Sequence, residues 1–289
     1  MKQFCIFTPS YNRAYTLSRL FQSLEKQTCS NFVWHITDDG STDNTVELVE
    51  EFINKGTVDI RFDRCENGGK TRAVVRAAAH SKEELFLVAD SDDWFSEDAI
   101  EVLSDEWKLC REDSNIAGMI CLRGYDVSTP IGTWMPKDVN RTDAWSLYHR
   151  YHFKGDCLHV YRTSIFNKYP APVAQSEKFM SEGWTIFNIA QHYQVKLINK
   201  VLYIGGYLDD GLSKSVRKLT KDNPIAYMKF KRLEYSLSSN LLDKVFNLTL
   251  YLVGAKLSGE DHPVSSSPNP KLAFFCYPLA GILLLTEFK

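Results

Sequence analysis

Asp90, Ser91, Asp92 and Asp93 put three carboxylates into four consecutive positions, directly behind the apolar run Leu85, Phe86, Leu87, Val88, Ala89. A run of that length reads as a fully buried strand, so the carboxylates emerge where the strand ends. Acids this close disfavour one another's ionised form unless something positive neutralises them. Hard divalent cations such as Mg2+ or Mn2+ take oxygen ligands and complete their shell with water and substrate phosphates. One reading of the cluster is therefore a cation that holds a phosphorylated substrate. The other is a solvated acidic turn leading into a helix capped by Ser96.

The elements that must carry such a site alternate between strand-like and helix-like patterns, the signature of a parallel α/β sheet flanked by helices. Phe4 to Phe7 reads as a strand followed by the turn Pro9, Ser10, Tyr11, Asn12, and a helix over about 16–27 turns Leu17, Leu20, Phe21 and Leu24 to one side. A second strand, Phe32 to Thr37, ends in Asp38, Asp39, Gly40, Ser41, Thr42, Asp43, where Asp43 is expected to cap the next helix. A more polar strand over 59–64 leads to Asn67, Gly68, Gly69, Lys70 and an alanine-rich helix over about 71–80. A helix from Ser96 to about Cys110 and a strand over 116–122 follow the acidic cluster. Ligands of open α/β sheets collect at the carboxyl ends of strands, and three such ends here carry the turns with the most polar chemistry.

Between Gly124 and Pro172 periodicity weakens and Trp134, Trp145, Tyr148, Tyr151, Phe153 and Tyr161 accumulate. Such aromatics either cover a substrate or form an ordinary core. A largely buried helix is expected from Ser181 and Glu182, and a last strand over 195–204 runs into Gly205 to Gly211 with Asp209 and Asp210. The domain division expected is 1–215, the sheet domain, and 216–289, a mainly helical extension.

Charge divides along the same line. The chain of 289 residues has a net charge of -2, with 24 Lys and Arg against 30 Asp and Glu up to Ser215 but 10 against 6 from Val216 onward. That balance argues against a general nucleic-acid binder. Two apolar segments, about 241–257 and 272–285, follow the basic stretch. The second has 14 residues and contains Pro278 and Gly281, so neither segment reads as a membrane span. Peripheral contact with a membrane surface is the expectation, with packing on the sheet domain as the alternative. Seven cysteines without zinc-ligand spacing fit a reducing compartment, and Met1, Lys2, Gln3 run into a strand without a signal-peptide pattern. A cytoplasmic location, at the inner face of the cell membrane, is expected.

Thr8-Pro9-Ser10-Tyr11-Asn12, Asp38 to Asp43, Asn67-Gly68-Gly69-Lys70 and Asp90-Ser91-Asp92-Asp93 occur in an order and spacing that resembles family 2 glycosyltransferases. The resemblance covers residues 1 to about 213 and is strongest up to Trp94. It implies a GT-A fold with a mostly parallel, Rossmann-like sheet, a nucleotide-diphosphate sugar as donor, Mn2+ or Mg2+, and inversion at the anomeric carbon. Pro9, Tyr11 and Asp39 would then hold the nucleobase, with Asp39 accepting the imide N–H of a uracil. Lys70 and Arg72 would serve the base or phosphates, and Asp90 and Ser91 the donor. Asp92 is the metal ligand that the resemblance implies, with Asp90 in the ribose or metal shell and Asp93 a further ligand or a group orienting the sugar. Many relatives carry a His or Arg after the last strand; this chain departs from them with Asp210, read as a metal or acceptor contact, and Lys214, read as reaching phosphate. Inversion by single displacement needs a base on the far side of the sugar. Relatives place it in an acidic pair before a helix, which corresponds to Glu182 here, although Gly183 stands where the second acid is usual. His159 and His192 read as structural.

The activity expected is transfer of a sugar, from a UDP-sugar, to a glycan or lipid-linked acceptor in surface polysaccharide or glycoconjugate synthesis. One rival is a nucleotide-sugar-binding protein that has lost catalysis, which Gly183 supports and the intact acidic cluster opposes. A nucleotidyltransferase is the other, but it calls for a longer glycine-rich loop than Pro9-Ser10-Tyr11-Asn12.

Overall fold

Strands that are apolar on both faces must lie between two layers, and the computed structural model, which describes residues 2–206 and 216–288, builds them into one sheet. In chain order the elements begin with β1 (Phe4–Ser10), α1 (Ala14–Glu25), β2 (Phe32–Asp38), α2 (Thr45–Lys55), β3 (Ile60–Arg64), α3 (Lys70–His80) and β4 (Leu85–Val88). Next come β5 (Trp94–Phe95), α4 (Ala99–Lys108), β6 (Ile116–Asp126), β7 (Thr129–Pro130), β8 (Arg141–Thr142), α5 (Ala144–His149), β9 (Cys157–Arg162) and α6 (Thr163–Phe166). The chain ends with α7 (Gly183–Ala190), β10 (Gln194–Ile204), α8 (Val216–Asp222), α9 (Pro224–Leu237), α10 (Leu241–Leu257) and α11 (Pro270–Glu287).

The main path of the sheet runs β3-β2-β1-β4-β9-β6-β10-β5. Pairings among β3, β2, β1 and β4 are parallel, as the alternating pattern predicts. β9 is the departure: it enters antiparallel between β4 and β6, from a stretch that gave no clear strand signal. Cys157, His159 and Arg162 break up its apolar residues, while Leu158, Val160 and Tyr161 are buried. One face of the sheet packs Phe4, Ile6, Trp34, Ile36, Leu85 and Leu87 with residues of α1, α2 and α4. The other packs Cys5, Phe7, Val33 and Phe86 against Ala73, Val74, Ala77 and Ala78 of α3. Small α3 side chains let that helix lie close to the strands.

Two expected caps are displaced. α4 starts at Ala99, with Asp98 at its cap position, and the Ser96 hydroxyl donates to the Asp98 carboxylate. Asp43 lies one position before the cap of α2 and accepts from the amide and hydroxyl of Thr45 through Oδ1.

The chain divides into two compact units, Met1–Pro170 with Asn188–Gly206, and Ala171–Phe187 with Tyr207–Lys289. This differs from the expected boundary at 215, because residues 171–187 group with the C-terminal helices. The reason is local: Glu177 and Asn223 exchange side-chain-to-backbone hydrogen bonds across that segment, and Phe187 stacks on Phe230. The second unit has its own core, in which Leu248, Tyr251, Leu252 and Ala255 of α10 pack with Ala273, Cys276 and Ala280 of α11. α11 continues through Pro278 to 18 residues, longer than the sequence pattern implies. Among the described residues it is the one helix long and apolar enough to cross a membrane, and little of it is buried.

Candidate active site

Because β1, β2 and β4 run parallel, their carboxyl ends lie side by side and present the turns that follow them on one edge of the sheet. The loops after β1 and β2 are stitched together by Asn12, which sits at φ 53°. Its Oδ1 accepts the N–H of Thr42 at 2.8 Å, and its own N–H donates to the Ser41 hydroxyl at 2.8 Å. Asn tolerates this left-handed backbone better than most residues. Tyr11, next to it, is half exposed, and the Ser10 hydroxyl is buried without a hydrogen-bond partner among the described residues. Pro9 is the penultimate residue of β1, opposite Thr37.

Asp39 is buried, and its two carboxylate oxygens accept the N–H groups of Gly68 and Gly69, each at 2.8 Å. It thereby ties the loop after β3 to the end of β2. Gly69 has φ 91°, a conformation that favours glycine, immediately before α3 begins at Lys70. Gly40 is equally constrained: at φ 81°, a Cβ on it would come 3.1 Å from the Asn67 amide nitrogen. Arg72, in the first turn of α3, turns back to donate to the Gly68 carbonyl at 2.7 Å. Buried Asp38 is held by the Arg64 guanidinium at 3.1 Å.

The acidic turn follows β4. Asp90, Asp92 and Asp93 each bring one carboxylate oxygen within 4.8 Å of the others. The Asp90 amide donates to the Tyr203 hydroxyl of β10 at 2.6 Å, which fixes the start of the turn. Arg19 of α1 secures its other side, donating to the Asp92 carbonyl while its guanidinium lies 4.0 Å from the centre of the Trp94 ring. Ser91 is buried inside the turn.

Cations partner two of the three acids. Lys70 Nζ lies 2.6 Å from Asp90 Oδ1. Arg123 of β6 reaches Asp93 Oδ1 at 2.7 Å and Asp156 Oδ2 at 3.1 Å. Burial by itself raises the pKa of Asp90, but the Lys70 ammonium, with Arg123 and Arg13 beyond it, outweighs that and holds the carboxyl below its ordinary value. Asp92 is displaced upward by burial and by the charge of Asp90. Asp93 is pushed up to about 7, chiefly by burial, against the opposing pull of Arg123. Among the described residues, this trio thus carries more negative charge than Lys70 and Arg123 settle. An all-oxygen donor set with that excess suits a hard divalent cation.

Of the residues the sequence singled out, Pro9, Tyr11, Asp39, Lys70, Arg72, Asp90, Ser91, Asp92 and Asp93 all lie in the first unit, at or beside the carboxyl ends of β1 to β4. Glu182 lies in the second unit, exposed, one residue before α7. Asp210 and Lys214 lie outside the described residues. His159 and His192 stack on Tyr161 and Tyr169, in keeping with a packing role. Sequence reasoning missed Arg123, Asp156, Tyr203 and Arg19. The first had a signal, since Arg123 is a charge ending the apolar run Ile116 to Leu122, the same pattern that drew attention to Asp90.

A family model described as glycosyl transferase family 2 matches residues 5–170. Poly(ribitol-phosphate) beta-N-acetylglucosaminyltransferase TarS of Staphylococcus aureus is 29% identical over 128 residues, 44% of this chain and 22% of that protein, so the chain spans about a fifth of this relative's length. The crystal structure of S. aureus TarS 1–349 in complex with UDP-GlcNAc has a similar fold, with a TM-score of 0.63 at 14% identity, covering 98% of this chain and 91% of that one. Mannosyltransferase PcManGT from Pyrobaculum calidifontis, solved with GDP-Man and Mn2+, gives a TM-score of 0.56 at 14% identity, covering 99% and 81%. These likenesses bear out the GT-A fold expected from the sequence. The family match takes in β1 to β9, with every strand end described above, and extends over more than half of the chain, which belongs to glycosyl transferase family 2.

Proposed function

We propose that this chain is an inverting glycosyltransferase that uses a divalent cation to transfer a sugar from a UDP-linked donor to a glycan or lipid-linked acceptor. The observation that carries this reading is the convergence of the Asp90, Asp92 and Asp93 carboxylates within 4.8 Å at the end of β4. Asp92, with Asp93 and Asp90 beside it, would hold Mn2+ or Mg2+. When bound, that ion neutralises charge developing on the departing diphosphate. TarS is named as an N-acetylglucosaminyltransferase and was solved with UDP-GlcNAc, which supports a UDP-sugar over other donors. Mn2+ in the PcManGT complex supports the cation.

The chain's own groups supply the rest. Tyr11 offers an exposed ring on which a nucleobase can stack. Asp39 keeps the Gly68-Gly69 loop in place; its Oδ1 also accepts from the Cys65 thiol at 3.5 Å, so Oδ2 is the oxygen with a second lone pair for an imide N–H. Lys70, already drawn toward Asp90, is a point charge for a phosphate oxygen, and Arg72 adds a planar one. Glu182 takes the proton from the attacking acceptor hydroxyl. Surface polysaccharide or glycoconjugate synthesis at an anionic membrane face fits the basic stretch from Val216 onward. The apolar side chains that α11 exposes support the membrane part.

A panel of UDP-sugars incubated with the protein, Mn2+ and mixed glycan acceptors, read as UDP release, tests the reading. Release from at least one donor, lost with EDTA and in Asp92→Ala, is the expected result. Tight UDP binding without turnover of any donor would favour a binding protein that has lost catalysis.

A further inference from the structure

Within the second unit, the segment that carries Glu182 is bound to α9 at both ends. On its amino side, buried Glu177 accepts the N–H groups of Ile225 at 2.6 Å and Ala226 at 2.9 Å. Those are first-turn amides of α9, which have no partner inside the helix. Asn223, also buried, answers in the reverse direction: its Oδ1 accepts the N–H groups of Lys178 at 2.8 Å and Phe179 at 2.9 Å. Its Nδ2 donates to the Leu219 carbonyl at 2.9 Å, which fixes which way the amide faces. Four backbone N–H groups from two distant stretches of chain are thus satisfied by two side chains.

On the carboxyl side, the Phe187 ring stacks on Phe230 of α9 with centroids 5.9 Å apart. Phe230 also lies over Gly183, where a Cβ would come 2.7 Å from its Cζ. A second acid at position 183 would meet this ring, which would have to shift to admit its Cβ.

We infer that α9 is the positioning element for the base of the proposed reaction, acting through Glu177, Asn223 and Phe230. Glu182 lies between the two attachments, three residues after Phe179 and one before Gly183. A short segment pinned on both sides has little freedom to move its central backbone. The polar clamp also explains why a carboxylate and an amide are buried at Glu177 and Asn223 at all, since every polar side-chain atom of both has a hydrogen-bond partner. None of these three side chains reacts; each fixes where Glu182 stands. The inference rests on Glu182 being the base, and the experiment separates the two claims.

Glu177→Ala, Asn223→Ala, Phe230→Ala and Glu182→Gln are compared in the full chain, with the donor that turns over in the UDP-sugar panel. Displacing a base by about 1 Å reduces turnover by roughly 10–100-fold, so the first three variants should lose kcat to that extent. Donor KM and UDP affinity should stay within about twofold, since binding relies on the first unit. Asn223→Asp keeps an acceptor oxygen for Lys178 and Phe179 and should recover most of the kcat that Asn223→Ala loses. Glu177→Gln is the milder variant should Glu177→Ala not fold. An inactive Glu182→Gln alongside folded Glu177→Ala and Asn223→Ala at the wild-type kcat would overturn this inference alone. Wild-type turnover in Glu182→Gln would remove the base assignment and the inference with it. A parallel fall of kcat and UDP affinity in the clamp variants would also overturn it, since that marks general loosening of the fold.

Discussion

Asp93 carries two opposed demands: its carboxylate is almost wholly buried beside two other acids, and it is hydrogen-bonded to Arg123. Its folded pKa of about 7 lies above its ordinary 3.8, so between those values the folded chain binds more protons than the unfolded one, and this group's contribution to stability falls as pH rises. Asp90 is displaced the other way, so its contribution is present above its ordinary value and is lost only as pH falls below it. The two windows do not overlap. In EDTA, wild type should therefore lose stability relative to Asp93→Asn by more than about 1 kcal/mol as pH rises from about 5 to 8. Mn2+ should remove that difference. Denaturant melts at the two pH values check this, and parallel stability curves would refute the assignment. The acids themselves were legible in the sequence because they are consecutive. Asp156 and Tyr203 were not, nor was the pairing of Arg123 with Asp93, because the partners are 30 or more residues apart and only the sheet brings them together.

At the level of elements, the sequence showed the strands whose apolar runs are unbroken and whose ends are marked by turns, β1, β2, β4 and β6 among them. β9 escaped because polar residues interrupt its buried ones, and because its position depends on pairing with two strands far away in sequence. Gly118 shows how close that pairing is: a Cβ there would lie 1.9 Å from the Val160 carbonyl oxygen. Backbone cannot yield as a flexible side chain does, so Gly118→Ala should destabilise the fold by about 3 kcal/mol, measured by chemical denaturation. Gly205→Ala is a sharper local test. Its Cβ would meet Asp93 Oδ1 at 1.6 Å, so the substitution should impair Mn2+-dependent UDP binding more than it lowers Tm. A variant with weakened folding but intact Mn2+-dependent binding would contradict the place given to Asp93.

For the whole molecule, the expected boundary at 215 followed composition, which does change there, whereas the compact units follow contacts. Ala171–Phe187 belongs with the C-terminal helices because two buried side chains and an aromatic stack tie it to α9, none of which has a periodic signature. The same unit exposes Phe274, Phe275, Leu279, Ile282 and Leu285 on α11, and from Val216 onward it has an excess of four positive charges, ten minus six. Apolar burial in the headgroup region adds to attraction for anionic lipids. The chain should therefore sediment with phosphatidylglycerol vesicles and much less with phosphatidylcholine vesicles, and Phe274→Ser with Phe275→Ser should reduce binding several-fold. Equal binding to both lipids, or no effect of the two substitutions, would rule out this face as the contact.

Everything assigned to the first unit depends on the acidic turn holding a cation for a nucleoside diphosphate, and titration calorimetry of UDP with Mn2+ or EDTA measures that directly. Wild type should bind UDP at least about tenfold more tightly with Mn2+ than with EDTA, a difference of about 1.4 kcal/mol, while Asp92→Asn should bind weakly and equally in both. Full Mn2+-dependent UDP binding by Asp92→Asn would contradict the account.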